Sequence, residues 1–328
     1  MIQRITCYLG TGTEPYENLA VERFLMEAVE EGELILYLWQ NRRTVVIGRN
    51  QNPWRECRLT ELQRDGGSLA RRLSGGGAVY HDLGNLNFTF CVQGMDYDLR
   101  RQQSVILEAC HLLGIGAELS GRNDLLAEGR KFSGNSFYNH NGYAFHNGTL
   151  LVDADLECLG KYLSPSRMKL EGKGVDSVRS RVVNLAELHP GLTVEHMCRA
   201  MTKALESIYQ LPSETFSAER WNQKTLEQLR TDFARWEWIY GKRLAFTASF
   251  TKRFSWGEVT LECLVRDGVL LESRAYTDAM DAALGTILSD ALRGCRFVPE
   301  ELCGCIRRLP LEHTVVEELC AWVTEEEI

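Results

Sequence analysis

The densest chemistry in this chain lies in the run Arg71-Arg72-Leu73-Ser74-Gly75-Gly76-Gly77-Ala78-Val79-Tyr80-His81-Asp82. Consecutive glycines reach backbone angles closed to other residues, and they let a ligand come within hydrogen-bond distance of backbone N–H groups. Two arginines just before them add fixed charge and forked donors that suit a phosphate or a carboxylate. Three glycines alone would read as a flexible hairpin loop. Framed by Arg71-Arg72 and His81-Asp82, they read as an anion cradle. The run is neither a Walker loop nor a dinucleotide fingerprint, because the spacings of both are absent.

A second cluster follows at Gly121-Arg122-Asn123-Asp124-Leu125-Leu126 and Gly129-Arg130-Lys131-Phe132-Ser133-Gly134. An ammonium held beside a carboxylate and an α-phosphate would stabilise the charge that develops as an acyl adenylate forms, which is the role open to Lys131. A solvated turn lysine weighs equally on spacing alone. Asn123 and Asp124 suit adenine, ribose or a Mg²⁺-bound phosphate, with capping and turn roles as the alternative. His146 enters an apolar strand and could line a pocket, although a lone histidine is more often structural.

These residues need a scaffold, and apolar spacing outlines it. Glu17 to Glu30 has helical period, with Gly32 as a stop. Leu34 to Trp39 and Thr44 to Gly48 read as strands joined at Asn41-Arg42-Arg43. Leu59 to Asp65 is a short helix, Ser68 to Leu73 a strand into the glycine run, and Ala78 to Tyr80 and Leu86 to Val92 the next strands. Ser104 to Leu113 and Glu195 to Tyr209 read as helices, and Lys131 to Gly134 and Gly148 to Val152 as strands. Short, mostly sequence-adjacent strands mixed with helices make an α+β pattern rather than βαβ alternation. Near Gly241-Lys242 the pattern changes to three strands, Phe246 to Phe254, Glu258 to Val265 and Val269 to Tyr276, followed by helices. The reading is a first domain over residues 1–244 and a second, smaller one over 245–328.

Bulk properties narrow the class. A length of 328 residues exceeds one ordinary domain, and the net charge of −8 argues against non-specific nucleic-acid binding. The charge is uneven: Lys161 to Arg181 holds six basic residues against two acidic ones, so an anionic ligand is expected in the first part of the chain. Eleven cysteines, with no CxxC pair, read as small buried hydrophobes in a reduced compartment. No stretch has the length of a membrane span and the first residues lack a secretory apolar region, so a cytoplasmic protein without membrane partners is expected.

Taken together, these motifs resemble the lipoate–protein ligase A family in its long, two-domain form. The resemblance runs through Leu38 to Asn41, Thr44 to Arg49, Gln51 to Trp54, Arg71 to Asp82, Gly121 to Leu125, Arg130 to Gly134, Phe145 to Leu151 and Gly172 to Leu185, in one order over most of the first 210 residues. Trp236-Glu237-Trp238 extends it. It implies a large mixed-sheet catalytic domain of the biotin/lipoate ligase type with a small α+β C-terminal accessory domain. It also implies that lipoic acid and Mg·ATP give lipoyl-AMP, from which the lipoyl group passes to a lysine of an acceptor. The implied acceptors are lipoyl domains of 2-oxo-acid dehydrogenase E2 subunits and the glycine-cleavage H protein.

By the same resemblance, Arg72, Gly77, Ala78, Val79 and Tyr80 contact ATP, with Asn123 and Asp124 nearby and Asp124 as a possible Mg²⁺ ligand. Lys131 touches both lipoate and nucleotide and is the catalytic residue. Trp39 forms an aromatic wall of the lipoate pocket, joined by Arg72, Gly76, His81 and His146. The chain departs from the family in a short Glu128-Gly129 lead and in Ser136 to Tyr143, which reads as an unfamiliar turn. An octanoyltransferase of the same superfamily would need a thiolate, yet His111 to Glu157 contains no cysteine and Cys158 follows an acidic run. A biotin–protein ligase would need its Gly-Arg-Gly-Arg-x-Gly loop, which is absent. A non-catalytic lipoyl-domain-binding or scavenging protein fits poorly with an intact Lys131 and glycine run.

Overall fold

The computed structural model describes residues 1–121, 124–163, 182–241 and 247–326. The chain forms two compact units. The first comprises Met1–Val46, Trp54–Arg72 and Val79–Ile239, and the second Ile47–Pro53, Leu73–Ala78 and Tyr240–Ile328.

The first unit is built on an eight-stranded sheet of β1 (Arg4–Leu9), β2 (Glu33–Trp39), β6 (Asn85–Gln93), β7 (Ala117–Ser120), β8 (Asp124–Ala127), β9 (Arg130–His140), β10 (Tyr143–Leu151) and β11 (Ser213–Thr215). Their order is β11-β1-β2-β6-β10-β9-β8-β7. β1 runs parallel to both β2 and β11, and β2, β6, β10, β9, β8 and β7 pair antiparallel. The antiparallel part is stitched by tight turns. Glu128-Gly129 joins β8 to β9 and Asn141-Gly142 joins β9 to β10, each with both residues at positive φ, as type I′ turns require. Ser136 to Tyr143 is therefore not a turn: β9 continues to His140, and only Asn141-Gly142 reverses the chain.

Side chains alternate between the faces of this sheet. One face carries Leu34, Leu36, Leu38, Phe88, Phe90 and Val92, and packs under the helices Leu99–Leu112 and Val194–Tyr209 to form the main core. The opposite face carries Tyr37, Trp39, Thr89 and Asn147 and meets the helix Pro15–Ala28 through Asn18 and Glu22. A smaller sheet of β3 (Thr44–Ile47), β4 (Ser68–Arg71) and β5 (Val79–His81) is ordered β4-β3-β5.

In the second unit, β12 (Ala248–Phe254), β13 (Gly257–Arg266) and β14 (Val269–Thr277) form an antiparallel meander. Asp267-Gly268 makes its second turn, again with both residues at positive φ. Its apolar face packs with the helices Leu284–Leu292, Pro299–Ile306 and His313–Glu325, buried around Val259, Leu261, Leu288, Leu302, Leu319 and Trp322.

Candidate active site

A buried polar chain runs across the second face of the large sheet. Trp39 Nε1 donates to Thr89 Oγ1 at 3.3 Å, and the Thr89 hydroxyl donates to Glu22 Oε1 at 2.7 Å. Asn147 Nδ2 donates to the same Glu22 oxygen at 2.9 Å, and its Oδ1 accepts from Ser136 Oγ at 2.6 Å. The register explains the assembly. Tyr37 pairs with Thr89, Thr89 with Asn147 and Asn147 with Ser136, so the last three side chains share one face. Trp39, two residues beyond Tyr37, shares it as well.

Glu22 is fully buried, and burial raises its pKa against the pull of Asn147, Thr89 and Arg72. Among the described residues its Oε2 has no hydrogen-bond partner. Arg72 is also buried, and Nη1 donates to Val46 O at 3.2 Å. Burial pushes its pKa down to about 10, with Glu22 opposing, so the guanidinium stays charged at neutral pH. His81 completes this part of the site. Its ring lies edge-on to Trp39 at 6.1 Å, and Nδ1 is 3.2 Å from Asn41 Nδ2. Burial, then the Arg72 charge, push the His81 pKa down to about 3, so the imidazole is neutral and Nδ1 is the acceptor for the asparagine amide. A buried guanidinium near Glu22 and His81, with the Trp39 indole edge-on to the same imidazole, is an arrangement that can receive a carboxylate with an apolar tail.

Lys131 lies on β9, and its Nζ is 2.7 Å from Asp124 Oδ1 on β8. Both side chains are about two-fifths exposed, so this pair orients the ammonium more than it stabilises the fold. Gly134 makes the arrangement possible. A Cβ there would stand 3.1 Å from Lys131 Nζ and 3.2 Å from its Cε. The Lys131 carbonyl accepts from Val183 N at 2.9 Å, which ties the strand to the segment beyond it. Asn123 lies outside the described residues, as does Gly172 to Arg181. Asp124 is engaged by Lys131, and no group of three or more potential metal ligands occurs among the described residues. One carboxylate suits Mg²⁺ that brings most of its oxygens from phosphates and water.

His146 does not join this face. It pairs with Phe90 and Phe137 across the strands, and its ring packs 5.3 Å from Phe88, 5.7 Å from Phe90 and 5.4 Å from Phe137, with Nε2 2.7 Å from Asn135 Oδ1. Strand alternation puts the next residue, Asn147, where His146 was expected. Glu22, Thr89, Asn147 and Ser136 escaped the sequence reading. Glu22 had left a signal, an acid one turn after Asn18 inside an apolar helix. The partners of Thr89 and Asn147 lie on other strands and leave none.

The arginine pair divides its labour. Arg71 Nε donates to Trp238 O at 2.8 Å and Ile239 O at 3.0 Å, while Trp238 Nε1 returns a bond to Arg71 O at 2.8 Å. Arg71 thus anchors the Trp236–Ile239 turn and leaves Arg72 as the cation beside Glu22. Val79 and Tyr80 lie on β5, where Tyr80 packs on Tyr162 at 5.4 Å.

The glycines belong to the second unit, and two of the three have packing reasons. A Cβ on Gly75 would lie 2.4 Å from the carbonyl oxygens of Ala279 and Met280. Gly76 has φ +89° and donates to Ala279 O at 2.9 Å, and a Cβ on Gly48 would meet Gly76 O at 2.1 Å. Gly77 differs: its Cβ position faces open space. Of the cradle read from sequence, Gly75 and Gly76 serve close backbone packing, and Gly77-Ala78 is the partly exposed stretch.

Two family models match this chain. Residues 14–206 match the lipoyl protein ligase A/B catalytic domain, and residues 243–322 match the bacterial lipoate protein ligase C-terminus. Among solved structures, the chain is similar to P. falciparum LipL1 in complex with lipoate, at 27% identity over 98% of this chain and 100% of that one, with a TM-score of 0.86. It is similar to lipoate-protein ligase A bound with ATP at 25% identity, over 74% of this chain and 99% of that one, with a TM-score of 0.63. A bipartite lipoate protein ligase from Thermoplasma acidophilum, described with its E2 lipoyl domain, shares the fold at 24% identity, covering 76% and 100% of the two chains with a TM-score of 0.65.

Proposed function

The chain belongs to the lipoyl protein ligase A/B catalytic-domain family and is a ligase-type enzyme, and on that premise we propose that it is an ATP-dependent lipoate–protein ligase. The observation that carries the proposal is a buried Arg72 guanidinium near Glu22 and His81, with the Trp39 indole edge-on to that same His81 and the Lys131 ammonium on the same first unit. Lipoate enters with its dithiolane and chain against Trp39 and its carboxylate toward Arg72 and Lys131. Mg·ATP, a substrate, meets Arg72, Val79, Tyr80, Asn123, Asp124 and Lys131 of the first unit. His81 borders the acyl group.

Both reactants of the first step are anions, so cations must offset their repulsion before the lipoate oxygen can reach the α-phosphorus. Arg72 does so from a fixed buried position. Lys131, which Asp124 holds in place, serves the pentavalent charge while the bond to the β-phosphate breaks and pyrophosphate leaves, and then the acyl adenylate. The acceptor lysine next attacks the carbonyl carbon and AMP leaves with the bonding electrons, so no protein nucleophile is required. The acceptors are lipoyl domains of E2 subunits and the glycine-cleavage H protein. Residues 1–244 form the catalytic domain and 245–328 an accessory one. Among the described residues no helix is long and apolar enough to cross a membrane. We assign the protein to the cytoplasm.

The competing octanoyltransferase reading needs a reactive thiolate. Burial raises the Cys158 thiol, and hydrogen bonding and charge from Asp155 raise it further. Burial also holds the Cys91 thiol far above its usual value. Neither suits a nucleophile.

Lys131→Ala tests the proposal. Lipoate-dependent ATP–pyrophosphate exchange is expected to fall by about a thousandfold, the scale of losing a key charge-stabilising group. The circular dichroism spectrum should be unchanged. Adenylate formation at near the original rate would remove Lys131 from the mechanism. Acceptor modification without ATP, read by intact mass, would replace the ligase with the transferase.

A further inference from the structure

The net charge is −8, yet part of the first unit is basic on its exposed side. The turn after β2 exposes Arg42 and Arg43, the segment Trp54–Arg64 exposes Arg55, Arg58 and Arg64, and the helix Leu156–Tyr162 exposes Lys161. The fold gathers several of these around one carboxylate. Asp65 Oδ1 accepts from Arg64 Nε at 3.4 Å, while Oδ2 accepts from Lys161 Nζ and from the Tyr162 hydroxyl at 2.8 Å. The Asp65 backbone carbonyl accepts from Arg43 Nη1. Arg58 joins the group through its backbone, donating to Tyr162 O at 2.9 Å.

Glu56, Glu61 and Asp65 are half-buried, and the exposed Asp153, Asp155 and Glu157 lie toward the other end of the short helix, which the Asp155 side chain caps. Among the described residues no carboxylate pairs with Arg42 or Arg58. Clustered exposed cations repel one another; Lys161 and Arg64 share the one Asp65 carboxylate, and Arg43 meets the neutral Asp65 carbonyl. The surface also adjoins the proposed nucleotide stretch, because Tyr162 bonds Asp65 with its hydroxyl and packs its ring 5.4 Å from Tyr80.

Resting on the ligase reading above, we propose that the Arg42–Arg43, Arg55–Arg64 and Lys161 surface docks an acidic face of the acceptor domain and steers its lysine toward the adenylate. A whole enzyme of net negative charge would otherwise repel an acidic protein, and a local basic face reverses the sign where the two must meet.

The test uses the full chain carrying Arg58→Glu and Arg64→Glu, with Arg58→Gln and Arg64→Gln as the milder form. An apo E2 lipoyl domain is the acceptor. Lipoate-dependent pyrophosphate exchange should stay within about twofold, which also reports that the variant folds. The kcat/KM for the acceptor should fall about 10- to 100-fold, mainly through KM, as expected when steering charges are reversed. The glutamine form should lie between. Added salt should slow acceptor transfer by the original protein far more than by the variant. Normal exchange with unaltered acceptor kcat/KM overturns the docking surface alone. A raised KM for ATP with the acceptor unaffected assigns the charges to the nucleotide and overturns it too. So does loss of random-sequence RNA binding with transfer unchanged. Absence of lipoate-dependent exchange in the unsubstituted protein overturns the ligase reading, and with it the acceptor as occupant.

Discussion

Replacing Thr89 with valine removes one oxygen while keeping the branched shape of the side chain. That oxygen accepts from Trp39 Nε1 at 3.3 Å and donates to Glu22 Oε1 at 2.7 Å. Thr89 and Glu22 are fully buried and Trp39 is 3% exposed, so water does not readily replace the lost bonds. Valine leaves the indole N–H unpaired and takes from Glu22 one of the two donors on Oε1. Orphaning the buried indole N–H costs roughly 1–3 kcal/mol, near the lower end for so long a bond, and losing one of the two hydrogen bonds on the Glu22 carboxyl costs about 1–3 kcal/mol more. The sum is about 2–4 kcal/mol, a large share of a typical stability of about 5–15 kcal/mol. Urea unfolding followed by intrinsic fluorescence measures it. Trp39→Phe has no N–H to orphan, so the valine substitution should cost about 1 kcal/mol less in that background. The KM for lipoate should rise several-fold as the Trp39 wall loosens. A destabilisation under about 0.5 kcal/mol, or no coupling with Trp39→Phe, would refute the bridging role of Thr89.

Gly148→Ala would place a Cβ 2.6 Å from Gly134 O and 2.6 Å from the Phe88 ring, so expression should collapse or thermal unfolding shift sharply downward; a normal melting temperature would contradict the close approach. Glu33 is fully buried and bonded to Arg220 at 2.7 and 2.8 Å, so Arg220→Ala should cost about 3 kcal/mol at neutral pH by leaving a buried charge with only part of its partners. Burial alone would raise the Glu33 pKa, but Arg220, the Glu30 N–H and the Thr6 hydroxyl outweigh it and bring it to about 2. That stabilisation is present above the unfolded value near 4.5 and lost as pH falls toward 2, so the gap between wild type and Arg220→Ala should narrow over that window in acid unfolding. Burial brings His146 to about 3, and burial with Arg72 does the same for His81. Stability should be full above the unfolded value near 6.5 and fall as pH drops from there toward 3, each histidine contributing a slope approaching about 1.4 kcal/mol per pH unit. His146→Phe should remove one of the two slopes, and an unchanged pH profile would mean that His146 is protonated in the folded state.

Local chemistry made much of this protein legible in advance. Asp267-Gly268 suits a hairpin turn because few other pairs accept two consecutive positive φ angles, and apolar spacing announced the helices Pro15–Ala28 and Val194–Tyr209 to within a turn. The glycine run, the arginine pair and the Lys131 segment pointed to anion chemistry through residue type alone. Tertiary structure decided what each member does. Arg71 and Arg72 are adjacent and chemically identical, yet one faces the carbonyls of residues 238 and 239 and the other a buried carboxylate. His146 and Asn147 differ by one position, and strand alternation sends them to opposite faces of the sheet. Glu22, Thr89 and Asn147 are far apart in the chain and meet only because antiparallel register aligns β6 with β10 beneath a helix. A sequence records which groups are available and how the local backbone bends. Which of them share a face, and how much water each gives up, depends on pairings across the sheet that no local window contains.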